Sequence, residues 1–191
     1  MSRPQALLFV SAFVLLGLIA GTLWLSQSPE TAPGLLRAVT GLDDDQVIDG
    51  TVTLFFPGSD GRLHPEVRGF ETGIDNAEFA RRIVTGLLSG PDSEGLFAPL
   101  PRSTRIGSVV VSADGTLYLD LASTEHARPP VTGSERELLA AYSLVNSICT
   151  NVPGIRNVVL LWNSQQLKTF AGNLDTTRPL SPNARLVSAT T

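Results

Sequence analysis

The chain has 191 residues with 14 basic and 18 acidic side chains, a formal net charge of −4. That balance excludes a nucleic-acid binder built on a phosphate-neutralising basic patch, and a single cysteine, Cys149, excludes an intrachain disulfide. With 42% hydrophobic and 17% charged residues the chain is a folding sequence rather than a disordered one, and its length suits one core-bearing domain.

The first element is Ala6 to Leu25, twenty residues without a charge. As a helix rising about 1.5 Å per residue it spans roughly 30 Å, the thickness of a bilayer's hydrocarbon core. Arg3 precedes it, no Lys or Arg follows from Ser26 to Thr31, and Trp24 suits the far interface. The positive-inside rule then leaves residues 1–5 in the cytoplasm and carries the rest across a bacterial inner membrane as a single-pass protein. A cleaved signal peptide is the competing reading, but its apolar stretch would end earlier, at a small-x-small site. Residues 26–50 read as a tether, interrupted by Pro29, Pro33 and Gly34. Asp43-Asp44-Asp45 is a solvated acidic run, because DDDQVIDG lacks the spaced oxygen ligands of a calcium loop.

A domain over residues 51–180 follows. Thr51 to Phe56 is β-branched and aromatic, a strand; the turn Pro57 to Gly61 leads to an alternating run whose Pro65 assigns it to an edge. Asp75 and Glu78 have the spacing of a capping box, and Ala80, Ile83, Val84, Leu87 and Leu88 recur at helical period until Gly90-Pro91 stops the helix. Pro91 to Pro101 is a loop with a Leu96-Phe97 plug. Arg105 to Ser112 and Thr116 to Leu121 flank Asp114-Gly115, a hairpin signal. Ser134 with Glu137 predicts a second capping box, and Leu138, Ala141, Tyr142, Val145, Ile148 and Cys149 the apolar stripe of its helix. Val158 to Trp162 is apolar throughout and reads as a central strand; Gln166 to Phe170 returns as its hairpin partner. Residues 181–191 read as a frayed, disordered tail. The order β(β)-α-ββ-α-ββ predicts an α+β fold, a mixed β-sheet with two helices packed on one face.

The catalytic inventory is thin. His64 and His126 have no metal-spaced neighbours, Cys149 lies on an apolar helix face, and Gly58-Ser59-Asp60-Gly61 is no nucleophile elbow. Asp120 ends a strand and reads as a turn cap; paired with Glu125 it is the one candidate for two-carboxylate hydrolysis. No catalytic, cofactor or metal residue is therefore assigned.

Leu87-Leu88-Ser89-Gly90-Pro91, Leu100-Pro101-Arg102-Ser103-Thr104, Tyr118-Leu119-Asp120-Leu121-Ala122-Ser123 and Gly133-Ser134-Glu135, followed by Val158 to Trp162, Phe170-Ala171-Gly172 and Pro179, resemble in order and spacing the GerMN domain family, named for a spore-germination and sporulation protein. The resemblance covers roughly Thr51 to Pro179 and departs at Asn163-Ser164, where the family's final hairpin has Gly. It implies a non-enzymatic α+β domain of the cell envelope, found in membrane-anchored or lipoprotein modules and, in spore formers, in an envelope-spanning assembly. It brings no catalytic residues and no cofactor. The expectation is an anchored module in the periplasm or extracytoplasmic space whose partners are envelope proteins or peptidoglycan, open to oligomerisation; the alternative is a cell-wall hydrolase using Asp120 and Glu125.

Overall fold

The computed structural model describes residues 48–72 and 75–189. The anchor at 6–25, the acidic run at Asp43 to Asp45 and most of the tether lie outside them. Among the described residues no helix is long and apolar enough to cross a membrane.

Five strands and two helices make up the domain: β1 (Ile48–Pro57), β2 (Leu63–Thr72), α1 (Asn76–Ser89), β3 (Arg105–Val111), β4 (Thr116–Ala122), α2 (Ser134–Asn151) and β5 (Asn157–Trp162). β1 thus takes in Ile48 to Gly50, the end of the expected tether. The class is α+β, but the single sheet is corrected to two. β1 and β2 form an antiparallel pair; β3, β4 and β5 form a separate sheet in that order, with β3–β4 antiparallel and β4–β5 parallel.

The polar side of α2 explains the separation. Strand β1 has a second edge, and helix side chains occupy it. Asn151 accepts from the Thr53 N–H at 2.9 Å and donates to its carbonyl at 2.8 Å. One turn back Ser147 accepts from the Phe55 N–H at 2.9 Å, and Ser143 donates to the Phe55 carbonyl at 2.5 Å. Positions 143, 147 and 151 recur every four residues, so they lie along one helical row. That row supplies the donors and acceptors a neighbouring strand would have supplied, satisfying a buried backbone edge.

This arrangement corrects the helix phase. Leu139, Ala140, Leu144, Val145 and Ile148 are buried, and so are Ser143, Asn146 and Ser147, whereas Leu138, Tyr142 and Cys149 are half-buried. α2 is enclosed on nearly every side, so its polar residues are core residues with partners. By contrast α1 buries the expected Ala80, Ile83, Val84, Leu87 and Leu88, and Asp75 caps it by accepting from the Ala77 and Glu78 N–H groups. Its last turn has no basic residue. Arg68 and Arg102 provide the cations its carbonyl end attracts, donating to Gly90 at 2.7 Å and Ser89 at 2.6 Å.

Three further expectations change. β4, not β5, is the central strand; the outer side of β5 is met by Leu180, bridged to Val158. The run Gln166 to Phe170 makes no ladder. It pairs at Trp162–Gln165 and then loops, because Thr176 bonds to Lys168 and Leu167 across the loop's base. From Ser181 to Ser188 the chain is docked rather than frayed: Asn183 and Asn146 exchange two hydrogen bonds, and Leu186 and Val187 pack against Phe55, Leu63 and Leu139.

Candidate functional site

A concavity of about 690 Å³ lies where the β1–β2 turn, the loop after α1 and the first turns of α2 meet. Four prolines line it, Pro57, Pro99, Pro101 and Pro130, with φ fixed by their rings. The turn packs closely onto the helix: Gly61 has φ 74° and so little clearance that a Cβ there would strike the Glu135 carboxylate. Leu96 bridges Gly58, and the Phe97 N–H donates to the Pro57 carbonyl at 2.9 Å. The expected Leu96-Phe97 plug is therefore half right. Leu96 packs on the core, but the Phe97 side chain stays 55% exposed on a backbone held from both sides. Arg102, Glu135 and Arg136 add both signs of charge to the lining. A rigid, mainly apolar cleft with one presented aromatic and a few polar groups is the form of a binding site.

The residues singled out by sequence lie apart. His64 Nε2 is 2.9 Å from Asp60 Oδ1, which holds the Asp60 carboxyl below its usual range. Ser59 lines the cleft beside that pair. Glu125 and His126 are exposed neighbours, 3.9 Å apart. Cys149 is half-buried, and burial pushes its thiol up to about 11, so it is protonated at neutral pH.

Asp120 is buried and engaged, though as a cap for a distant turn rather than its own. Oδ1 accepts from the Ser164 N–H at 2.9 Å and Oδ2 from the Ser164 hydroxyl at 2.8 Å. Asn163 and Ser164 have φ of 50° and 63°, both left-handed, and Trp162 and Gln165 bond to each other across them, so this is a two-residue hairpin turn of the I′ kind without glycine. The strand facing Asp120 bulges, and a Cβ at Gly107 would stand 3.0 Å from Asp120 Oδ2. Glu125 makes no contact with this arrangement. Among the described residues no group of three or more His, Cys, Asp or Glu is placed to hold a metal.

Sequence reasoning misassigned a second carboxylate. Glu137 does not close a capping box: Gly133, at φ 91°, is the α2 N-cap and no side chain caps it. Instead Glu137 is 0% exposed and accepts from the N–H groups of Ala171, Gly172, Asn173 and Leu174 and from the Asn173 amide, at 2.7 to 3.0 Å. Burial pushes its carboxyl up, but the backbone donors of Ala171 and Leu174, with Asn173, outweigh that and hold it below the usual range. The Ser-x-x-Glu signal was present, but its Glu turned inward. The cleft itself had no motif; only the proline spacing around Leu96-Phe97 marked its loop.

The sequence pattern of the family Germane, "Sporulation and spore germination", matches residues 53–168. No curated protein sequence matches the chain. Solved structures of similar fold include the following. The tandem GerMN domains of the sporulation protein GerM from Bacillus subtilis align at TM-score 0.56 and 20% identity, over 69% of this chain and 46% of that one. The first GerMN domain of the same protein aligns at TM-score 0.52 and 20% identity, over 69% and 97%. A "Putative Lipoprotein from Clostridium perfringens" aligns at TM-score 0.50 and 22% identity, over 70% and 87%. With its pattern matched over more than half its length, the chain belongs to the Germane family of sporulation and spore germination domains.

Proposed function

We propose that this protein is a non-catalytic module of the bacterial cell envelope, tethered to the inner membrane by residues 6–25, with its domain on the extracytoplasmic side binding protein partners or peptidoglycan. One observation carries the reading: the carboxylate pair that the sequence offered for hydrolysis is not brought together, since both Asp120 oxygens accept from Ser164 and Glu125 stands exposed elsewhere. In this reading the binding surface is the cleft around Phe97, whose side chain is exposed. The fold neighbour from Clostridium perfringens, described as a lipoprotein, supports an anchored extracytoplasmic setting, and the uncharged Ala6–Leu25 segment is this chain's own means of reaching it.

Phe97→Ala and Arg136→Glu in the full chain test the reading, at matched expression in a deletion strain. Both side chains line the cleft, so each variant should keep the melting curve while co-sedimentation with isolated sacculi, or in-cell crosslinking to envelope proteins, falls. Which of the two signals falls identifies the partner class. If both variants retain sacculus binding and every crosslink, while folded Glu125→Gln gives the null phenotype, the binding reading fails and hydrolysis replaces it.

A further inference from the structure

A second groove, of about 610 Å³, runs between α1 and the start of β3. Three of the chain's 14 basic residues line it, Arg81, Arg102 and Arg105, and among the described residues no acidic one does. In a protein of net charge −4 this is a local concentration of the minority sign. Neutral groups hold two of the guanidiniums in place. Arg81 donates to the carbonyls of Ile106 at 3.4 Å and Gly107 at 2.9 Å, and Arg102 to that of Ser89 at 2.6 Å. A carbonyl orients a guanidinium without cancelling its charge, and a guanidinium has more N–H donors than these bonds use. Glu78, the carboxylate that pairs with Arg81, lies outside the groove and is divided between Arg81 at 3.7 Å and Arg82 at 3.4 Å. Among the described residues neither Arg102 nor Arg105 takes part in an ion pair, and both are exposed. The cations are spread along the groove rather than gathered. Ser89 lies eight residues beyond Arg81 on α1, about 12 Å along the axis at about 1.5 Å per residue. Arg102 is fastened at the Ser89 end and Arg81 at Ile106 and Gly107, so Arg105 falls between them in chain order. Thr85 and Ser89 are exposed in the same groove, and their hydroxyls already donate to the Arg81 and Thr85 carbonyls at 2.9 Å. Their oxygens are left as acceptors, open to a ligand's donors.

We propose that this groove binds a linear polyol phosphate, a chain in which phosphodiesters alternate with hydroxyl-bearing carbons, and that it does so independently of whatever the Phe97 cleft binds. Successive phosphates meet Arg81, Arg105 and Arg102, whose planar forks match phosphate oxygens. The hydroxyls between them donate to the Thr85 and Ser89 oxygens. A single phosphate, free or on a lipid headgroup, reaches one end of the groove only, whereas a chain reaches both. An acidic peptide fits less well. To gain main-chain bonds it would have to add to the β3 edge, where Arg81 already occupies the Ile106 and Gly107 carbonyls. The apolar part of the lining is Leu88, which is buried, and Ile106, which is half-buried, so there is no pocket for a side-chain anchor. Carboxylate side chains also bring no donor for Thr85 or Ser89. Duplex nucleic acid, for its part, is met across a broad basic face, which three arginines on an acidic protein do not make.

Fluorescence anisotropy tests the groove, with the full chain in nanodiscs of zwitterionic lipid and labelled poly(glycerol phosphate) as the probe. Binding should weaken with salt at a log–log slope of about −2, from about −0.7 for each phosphate that an arginine neutralises. Arg105→Gln should make that slope shallower by about 0.7 and weaken binding severalfold at low salt, while Arg105→Lys keeps the slope. Polyglutamate of equal charge should bind at least about fivefold more weakly, because it forgoes the hydroxyl hydrogen bonds. Thr85→Val, which removes one acceptor, should narrow that gap. Arg105 and Thr85 are both exposed, so the variants should keep the wild-type melting curve. Phe97→Ala should leave every one of these readings unchanged, which separates this groove from the cleft. A wild-type chain that does not bind the probe at low salt overturns the proposal, as does a slope that Arg105→Gln leaves unaltered. So do polyglutamate bound as tightly as the probe, loss of binding in Phe97→Ala, and displacement of the probe by inorganic phosphate or phosphatidylglycerol liposomes as effective, per phosphate, as the unlabelled polymer.

Discussion

Ser164 holds Asp120 by both of its polar groups, and Asp120 in turn holds Ser164 in a left-handed backbone conformation. A non-glycine residue at positive φ is uncommon, and two in succession need compensation. The carboxylate supplies it, with one oxygen for the N–H and one for the hydroxyl. Asn163 does comparable work on the other side, accepting from the Ser123 N–H at 3.0 Å. The end of β4 is thereby fastened to the turn after β5.

Asp120→Ala should therefore destabilise the fold rather than abolish an activity. It leaves the partly buried Ser164 N–H without an acceptor, a loss of about 1–3 kcal/mol. Ser164→Gly in the Asp120→Ala background should recover part of that, because glycine needs no help to adopt positive φ. Urea unfolding checks both. A double variant no more stable than Asp120→Ala would show that the carboxylate stabilises something other than this turn.

The helical splint on β1 predicts a local effect. Asn151→Ala removes the acceptor for the Thr53 N–H and the donor to its carbonyl. The Thr53 amide should exchange with deuterium much faster in the variant, while the Leu54 amide, bonded toward β2, keeps its protection. Equal acceleration at both positions would mean that the variant loosens the whole hairpin and that Asn151 is no specific edge cover.

What was legible in the sequence follows from which forces are local. α1 was readable because its cap, stripe and stop lie within one stretch, from Asp75 to Gly90. The β3–β4 hairpin was readable because Asp114-Gly115 specifies a turn by backbone conformation alone; Gly115 has φ 82°. α2 was misread in phase because a periodic count treats serine and asparagine as exposed, whereas here Ser143 and Ser147 are buried by bonding to β1, some 90 positions away. The capping-box reading of Ser134 and Glu137 failed for the same reason: the partners of Glu137 lie at 171 to 174. Likewise the cleft joins loops from three separate parts of the chain, and Phe97 could be recognised as presented only once its backbone was seen paired to Pro57.

The corrected phase of α2 makes a comparative prediction. Leu144 is fully buried, whereas Leu138 is half-buried. Leu144→Ala should cost about 2–5 kcal/mol, as buried leucine truncations do, and Leu138→Ala clearly less. Thermal unfolding of the two variants side by side settles the order. The reverse order would restore the stripe read from the sequence.

Glu137 gives the prediction with the sharpest sign. Its folded carboxyl is held below the ordinary glutamate value of 4.5. The ionised form is thus the one that folding favours, and its contribution is present in full above that value. As pH falls through the ordinary and then the depressed value, the folded state must take up a proton at a buried oxygen that four backbone N–H groups already fill, and the contribution is lost. Glu137→Gln keeps the shape but removes the charge, and it places an NH₂ group where one oxygen had accepted. The variant should lose at least about 2 kcal/mol at neutral pH, since hydrogen bonds to a charged group each contribute roughly 1.5–3 kcal/mol. Between about pH 6 and about pH 3 its stability should also fall less steeply than that of the wild type, and the difference between the two curves isolates Glu137 from the other lowered carboxyls, Glu66 among them. The 171–174 segment should become protease-sensitive in the variant, because its four N–H groups have no other common acceptor. Parallel pH–stability curves for Glu137→Gln and wild type would mean that Glu137 is not ionised in the folded protein, and the loop would then need another account of what holds it.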